Sequence, residues 1–222
     1  DVERIYTKLS NKAHFAPVHV LLYTLPGVPS IYYGSEFGIE GRKERSSDDS
    51  LRPALSLDDY ETALGDNPCT ALIAALGQIR QHTPAVSYGS YAELHLTNRQ
   101  FAFARDLNDV RVVVTVNNDD NAASMDLPAG NAVEYIGALS GQKVAVQDGR
   151  INVTVPANSG EIWVPSEETS VPETFSENKD SIVEETPVTQ EEVKNEGSAE
   201  TKTASASSVP EACLLYTSDA AD

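Results

Sequence analysis

Cysteine is nearly absent from this chain of 222 residues: Cys69 and Cys213 are the only two, and their spacing builds neither a disulfide framework nor a metal-binding pair. Histidine is scarce as well. His14, His19, His82 and His95 share no metal-ligand spacing, so each reads as structural or surface and no metal site is expected. Lys and Arg number 16 against 34 Asp and Glu, a formal net charge of −18. No cluster of basic residues is present to neutralise phosphates, which argues against nucleic-acid binding. No apolar run approaches the roughly 20 residues that span a bilayer, so no membrane span is expected. The first residues, Asp1-Val2-Glu3-Arg4, lack both an initiator Met and the charged-then-apolar pattern of a signal peptide, and read as an internal cut.

What is present divides into four stretches. From Ser166 to Ala212 there are 12 acidic residues against 3 Lys and one aromatic, Phe175, so about half of the net charge lies here. Such a stretch buries too little apolar surface to offset its ordering entropy, and residues 166–212 are expected to be a disordered Ser/Thr/Glu-rich linker. The last ten residues, 213–222 (CLLYTSDAAD), differ in character from everything before them and resemble sequencing read-through; the alternative is a short apolar terminus that packs somewhere.

In the body, Phe15, Val18, Leu22 and Leu25 recur at helical spacing, with Pro17 in the first turn, where its missing N–H is harmless. Pro26-Gly27 ends this helix, and Val28–Tyr33 (VPSIYY) is expected to be a short buried strand closed by Gly34. A helix followed by a nearly continuous apolar strand is the pattern of a parallel α/β unit. Residues 35–66 form a polar stretch longer than most connections in a compact domain, as functional or mobile loops are. Asn67 as N-cap, Pro68 at the first helical position, and Leu72, Leu76 and Ile79 predict a second helix over 68–82. After Ser87 the apolar period becomes two: Leu94 and Leu96, Phe101 and Phe103, Val112 to Val116, Val144 and Val146, Ile151 to Val155. Asn108-Asp109, Asn117 to Asn121, Gly141 and Asp148-Gly149 punctuate them. This predicts an all-β antiparallel sandwich over 87–165, ending near Trp163, with a domain boundary near Val86. Asn152-Val153-Thr154 fits a glycosylation acceptor but lies inside a predicted strand.

The loop after Tyr33 carries Glu36, Glu40, Asp48, Asp49 and Arg52 among three glycines. Carboxylates accept hydrogen bonds from paired sugar hydroxyls and Arg donates to sugar oxygens, although a mixed-charge loop is also simply well solvated. The segment PGVPSIYYGSE (Pro26–Glu36) closely resembles the eighth-strand motif of the α-amylase superfamily, GxPxIYYGDE. IRQHTP (Ile79–Pro84) resembles the end of that family's last barrel helix, and the β domain beyond resembles its C-terminal domain.

The resemblance covers roughly residues 1–165. It implies that residues 1–86 are the C-terminal part of a catalytic (β/α)8 barrel, its last strand with flanking helices, where catalytic groups follow the strand ends. DVERI resembles the part of the family's NHDxxR motif that comes after Asn-His, so Asp1 is the implied transition-state stabiliser, gripping sugar hydroxyls as the ring flattens. Arg4 matches the motif's Arg. Asp48-Asp49-Ser50-Leu51-Arg52 resembles DPxxR, which implies that Asp48 and Arg52 contact glucose units on the non-reducing side; Asp49, where Pro is common, is the alternative ligand. Ser35 departs from the usual Asp of YYGDE. Tyr32 and Tyr33 read as core or as sugar-stacking rings, and Trp163 as core.

The implied activity is retaining hydrolysis of α-1,4-glucosidic bonds in starch or maltodextrins, with the nucleophile and acid/base on segments before residue 1 and this chain inactive alone. A transglycosylase of the same family and a non-catalytic carbohydrate-binding relative are the alternatives. The partner is an α-glucan; no cofactor is expected in this chain, with calcium conceivable upstream, and the tail leans the parent toward an extracellular setting.

Overall fold

The computed structural model describes residues Val2–Ser166. Asp1, most of the expected linker and the expected read-through segment lie outside the described residues. Five α-helices precede the strands: α1 (Ile5–Lys8), α2 (Phe15–Thr24), α3 (Ala63–Asp66), α4 (Pro68–His82) and α5 (Pro84–Tyr88). Pro17 falls in the first turn of α2. The Asn67 side chain accepts from the amides of Cys69 and Thr70, so α4 begins and ends where the capping pattern places it.

Eight strands follow among the described residues: β1 (Ser90–Leu96), β2 (Gln100–Leu107), β3 (Val110–Asn117), β4 (Ala123–Pro128), β5 (Glu134–Gly137), β6 (Lys143–Ala145), β7 (Arg150–Val155) and β8 (Ser159–Pro165). Six of them form one antiparallel sheet in the order β1-β2-β3-β8-β5-β6, and β4 pairs with β7 in a second. The turns use the residues that tolerate a left-handed backbone. Asn108 links β2 to β3 at φ 53°, and Asp148-Gly149 precede β7 at 50° and 72°.

The larger sheet is buried on both sides. One face brings Phe103, Val112, Val114, Val116 and Ile162 against Val20 of α2, Leu76 of α4 and Val86 of α5. The other brings Ala102, Val113 and Trp163 against Met125 and Leu127 of β4 and Ile151, Val153 and Val155 of β7. This is why β3 reads as an almost unbroken valine run whereas β7 alternates cleanly: β7 has one wet face, with Arg150, Asn152 and Thr154 exposed. Trp163 is core, 1% exposed, and its indole N–H donates to Thr115 Oγ1 at 3.0 Å. The register that opposes Val113 to Trp163 and Val114 to Ile162 sends alternate residues to the two cores.

Residues 28–33 depart from expectation. They join no ladder, and they are not buried: Val28 is 92% exposed and Tyr32 52%. A strand exists only through a neighbouring strand that takes up its N–H and C=O groups; here the Tyr32 carbonyl accepts from the Ser35 amide and the Tyr33 carbonyl from Arg4, and no described strand pairs with the stretch. Strands β4 and β5 and the short helix α5 are also present where the apolar period marked nothing.

Candidate functional site

The loop expected to carry the chemistry begins at Gly34, whose φ of 80° and crowded Cβ position, 2.4 Å from Ile39 Cδ1, admit no other residue without strain. Its base is fastened to the start of α4. Asn67 Nδ2 donates to the Phe37 carbonyl at 3.0 Å, Thr70 Oγ1 donates to the Glu36 carbonyl at 2.9 Å, and the Phe37 ring stacks on Tyr60 at 3.8 Å. Glu36 is half-buried with Oε2 unpartnered, and its charge adds to burial in pushing the Tyr23 hydroxyl pKa up. Farther along, Gly41 donates to Thr7 Oγ1 at 2.7 Å and accepts from the Arg4 amide at 3.0 Å. A Cβ at Gly41 would come within 2.6 Å of the Ser50 carbonyl, so glycine permits the loop to fold back on itself.

Asp48, Asp49 and Arg52 lie together on this returning arm, where Asp49–Leu51 form one 3-10 turn. Asp48 pairs with Lys43 and stands 3.8 Å from Arg52 Nη2. The hydrogen bond from Lys43, reinforced by the charges of Lys43 and Arg52, holds the Asp48 carboxyl below the usual range. Leu51 turns inward and is buried, which fixes the turn that presents its neighbours. Lys43 was not marked by the sequence; a pairing five residues away on an irregular loop leaves no periodic signal.

Beneath the loop is an open cleft of about 950 Å³. Its walls come from Arg4 and Ile5, from Val18, His19 and Leu22 of α2, from residues 30–32, and from Leu51 and Arg52. Its lining is mainly apolar, and the carboxylate among its described residues is Glu3, which is 3.4 Å from Lys8 Nζ. Arg4 is 4% exposed; Nη1 donates to the Tyr33 carbonyl at 2.7 Å, and Tyr32 and Tyr33 each place a ring centroid 5.1 Å from its Cζ. Tyr32 and Tyr33 are therefore partly exposed covers of a cation rather than interior of a core.

His19 is buried and stacked on Phe15, and its Nδ1 donates to the Phe15 carbonyl at 2.8 Å. Desolvation lowers its pKa more than that bond raises it, so the imidazole stays neutral. No group of three or more His, Cys, Asp or Glu among the described residues is placed to hold a metal ion, and no described helix is long and apolar enough to cross a membrane.

Residues 89–163 match the family model of the α-amylase C-terminal domain. Among curated proteins, a cyclomaltodextrin glucanotransferase of Niallia circulans is 26% identical over 171 residues, covering 73% of this chain and 23% of its own length. Neopullulanase 2 of Thermoactinomyces vulgaris is 25% identical over 167 residues, covering 73% of this chain and 27% of its own. An α-amylase structure from Malbranchea cinnamomea superimposes with a TM-score of 0.64 at 20% identity, over 77% of this chain and 36% of that one, and shares its fold. The chain thus spans about a quarter of the length of the curated relatives it matches. Residues 89–163 thus match the α-amylase C-terminal domain, and the similarity to α-amylase-family proteins, glycoside hydrolase family 13, extends well beyond that domain.

Proposed function

We propose that residues 2–86 are the closing part of a (β/α)8 barrel and that the protein acts on α-1,4-glucosidic bonds of starch or maltodextrins through a covalent glycosyl intermediate. One observation carries this reading: the α-amylase C-terminal domain over 89–163 shares a single core with the helices flanking PGVPSIYYGSE, through Val20, Leu76 and Val86. A C-terminal domain packed on a barrel's last helices is the arrangement such a segment order requires.

In this reading Asp1 grips hydroxyls of the sugar at the cleavage point, and Asp48 and Arg52 contact glucose units on the non-reducing side, with Asp49 as the alternative ligand. The Asp48–Lys43 pair preorganises an ionised acceptor for sugar hydroxyls. A retaining mechanism needs two carboxyl groups about 5 Å apart across the scissile bond. In this reading the nucleophile and acid/base lie on segments before residue 1, and the 222-residue chain is inactive by itself.

Transfer to a sugar acceptor is the second reading, favoured by the recurrence of cyclomaltodextrin glucanotransferases among the relatives. Both readings are tested by incubating the 222-residue chain and the product of its complete reading frame with maltoheptaose and resolving the products by chromatography. Turnover by the 222-residue chain would sink the assignment of nucleophile and acid to other segments. Linear maltooligosaccharides from the complete protein support hydrolysis, cyclic products support transfer, and no turnover by either overturns the enzymatic reading.

A further inference from the structure

Helix α2 ends without the devices that close many helices. Leu25 follows it at φ −64° and ψ 156° rather than in a left-handed cap, and no basic residue lies in its last turn. Its final carbonyls are taken up from far along the chain instead. Arg80 of α4 donates from Nη1 to the Tyr23 carbonyl and from Nη2 to the Gly27 carbonyl, both at 2.6 Å. Arg105 of β2 donates from Nη1 to the Thr24 carbonyl at 3.0 Å and from Nη2 to the Gly89 carbonyl at 2.8 Å, which joins α2 to the residue before β1.

Arg105 is a costly way to hold a helix end. It is 2% exposed, its Nε has no acceptor, and burial together with the charge of Arg80 presses its pKa down. Its sequence neighbour Asp106 is engaged instead by Nε and Nη2 of Arg111, at 2.7 and 2.9 Å. A buried cation held by carbonyls adds little stability over an apolar side chain of similar volume. What the planar guanidinium supplies is geometry, because its fork fixes two oxygens in one plane.

That geometry reaches the site loop by a short path. From Gly27 the chain runs to Tyr33, whose carbonyl accepts from Arg4 Nη1 at 2.7 Å. The Tyr33 hydroxyl donates to the Pro53 carbonyl at 3.2 Å, next to Arg52.

We propose that Arg105, with Arg80, is a positioning residue for glucan binding: it sets where α2 ends and, through Tyr33, the arm that presents Asp48 and Arg52. The inference rests on the reading of that arm as a glucan contact; the tie between the β domain and α2 stands on the hydrogen bonds themselves. Lysine keeps the charge but, as a single point donor, does not span Thr24 and Gly89, so Arg105→Lys separates the fork from the charge.

The test has two arms. In the 222-residue chain, Arg105→Lys quickens hydrogen exchange of the Leu25 amide, which donates to the Leu21 carbonyl at 2.9 Å, by about tenfold, the size of one lost charge-assisted bond. In the product of the complete reading frame, the same change raises KM for maltoheptaose by about tenfold and leaves kcat, because contacts away from the cleaved bond bind ground state and transition state alike. Thr115→Val weakens the same β domain without touching α2; it quickens Val114 and leaves Leu25 and KM as they were. Arg80→Lys, at a half-buried site, repeats both effects and keeps the test where Arg105→Lys folds poorly.

Leu25 exchange unchanged in both arginine variants overturns the tie. Leu25 quickened with KM unmoved, a loss in kcat alone, or KM raised equally by Thr115→Val overturns the positioning role. An unaltered complete protein that turns over no maltoheptaose overturns the glucan reading and the role with it, while the exchange arm still decides the tie.

Discussion

Leu76→Ala is the perturbation that asks whether the helices and the sheets are one folding unit. Leu76 is fully buried on α4, in the core it shares with Val20, Val86, Val114 and Ile162. Removing three carbons from such a site costs about 3 kcal/mol, because the transfer free energy is lost and the surrounding helix and sheet close the cavity only partly. The chain contains a single Trp, and Trp163 lies in the other core, on the far side of the sheet. Its fluorescence therefore reports a region that Leu76 does not touch. If the sheet transmits the loss, the urea midpoint read by Trp163 falls by about 1.5 M, taking a slope of about 2 kcal/mol per molar. The same shift must appear in the helical circular dichroism signal. A Trp163 midpoint unchanged while the helical signal moves would refute the single unit and place an energetic boundary near Val86.

Three further outcomes rest on named contacts. Thr115→Val leaves the Trp163 indole N–H buried without its acceptor and should cost about 1–3 kcal/mol in urea unfolding, whereas a neutral result would mean that water reaches the indole. Asn67→Ala removes the cap of α4 and the bond to the Phe37 carbonyl; about 1 kcal/mol of lost stability is expected, with faster hydrogen exchange at Cys69 and Thr70. His19 has a folded-state pKa below the ordinary imidazole value, so its unfolded form binds the proton first. Its contribution is complete above about pH 6.5 and is lost as pH falls through the lowered folded value. Thermal melts from pH 7.5 to 5 should show this slope, and His19→Gln should flatten it.

The parts of the fold legible in the sequence are those whose reasons are local. Asn67-Pro68 specified the start of α4 because a cap and a first-turn proline act within one helical turn. Asn108-Asp109 and Asp148-Gly149 marked turns because a left-handed backbone selects those residues. Strands β4 and β5 escaped because Met125 and Leu127, or Tyr135 alone, give too few repeats to establish a period. Of the candidate site, Asp48 and Arg52 were named by their motif and do lie side by side, but the Lys43 that holds Asp48 ionised comes from a loop whose fold depends on Thr7 and Arg4, more than thirty residues away.

The strand expected at Val28–Tyr33 shows what local reasoning leaves out. VPSIYY has the β-branched and aromatic composition of a buried strand, yet composition supplies only the side chains that a sheet would bury. The hydrogen bonds of a strand belong to its neighbours, and here the neighbours are not among the described residues. Arg4 obeys the same logic. A guanidinium 4% exposed with one edge unpartnered is costly unless an acceptor completes it, so its placement is understandable only as half of a contact. Ser30 and Ile31, without backbone partners among the described residues, and Arg4, with one guanidinium edge unpartnered, thus border the same cleft.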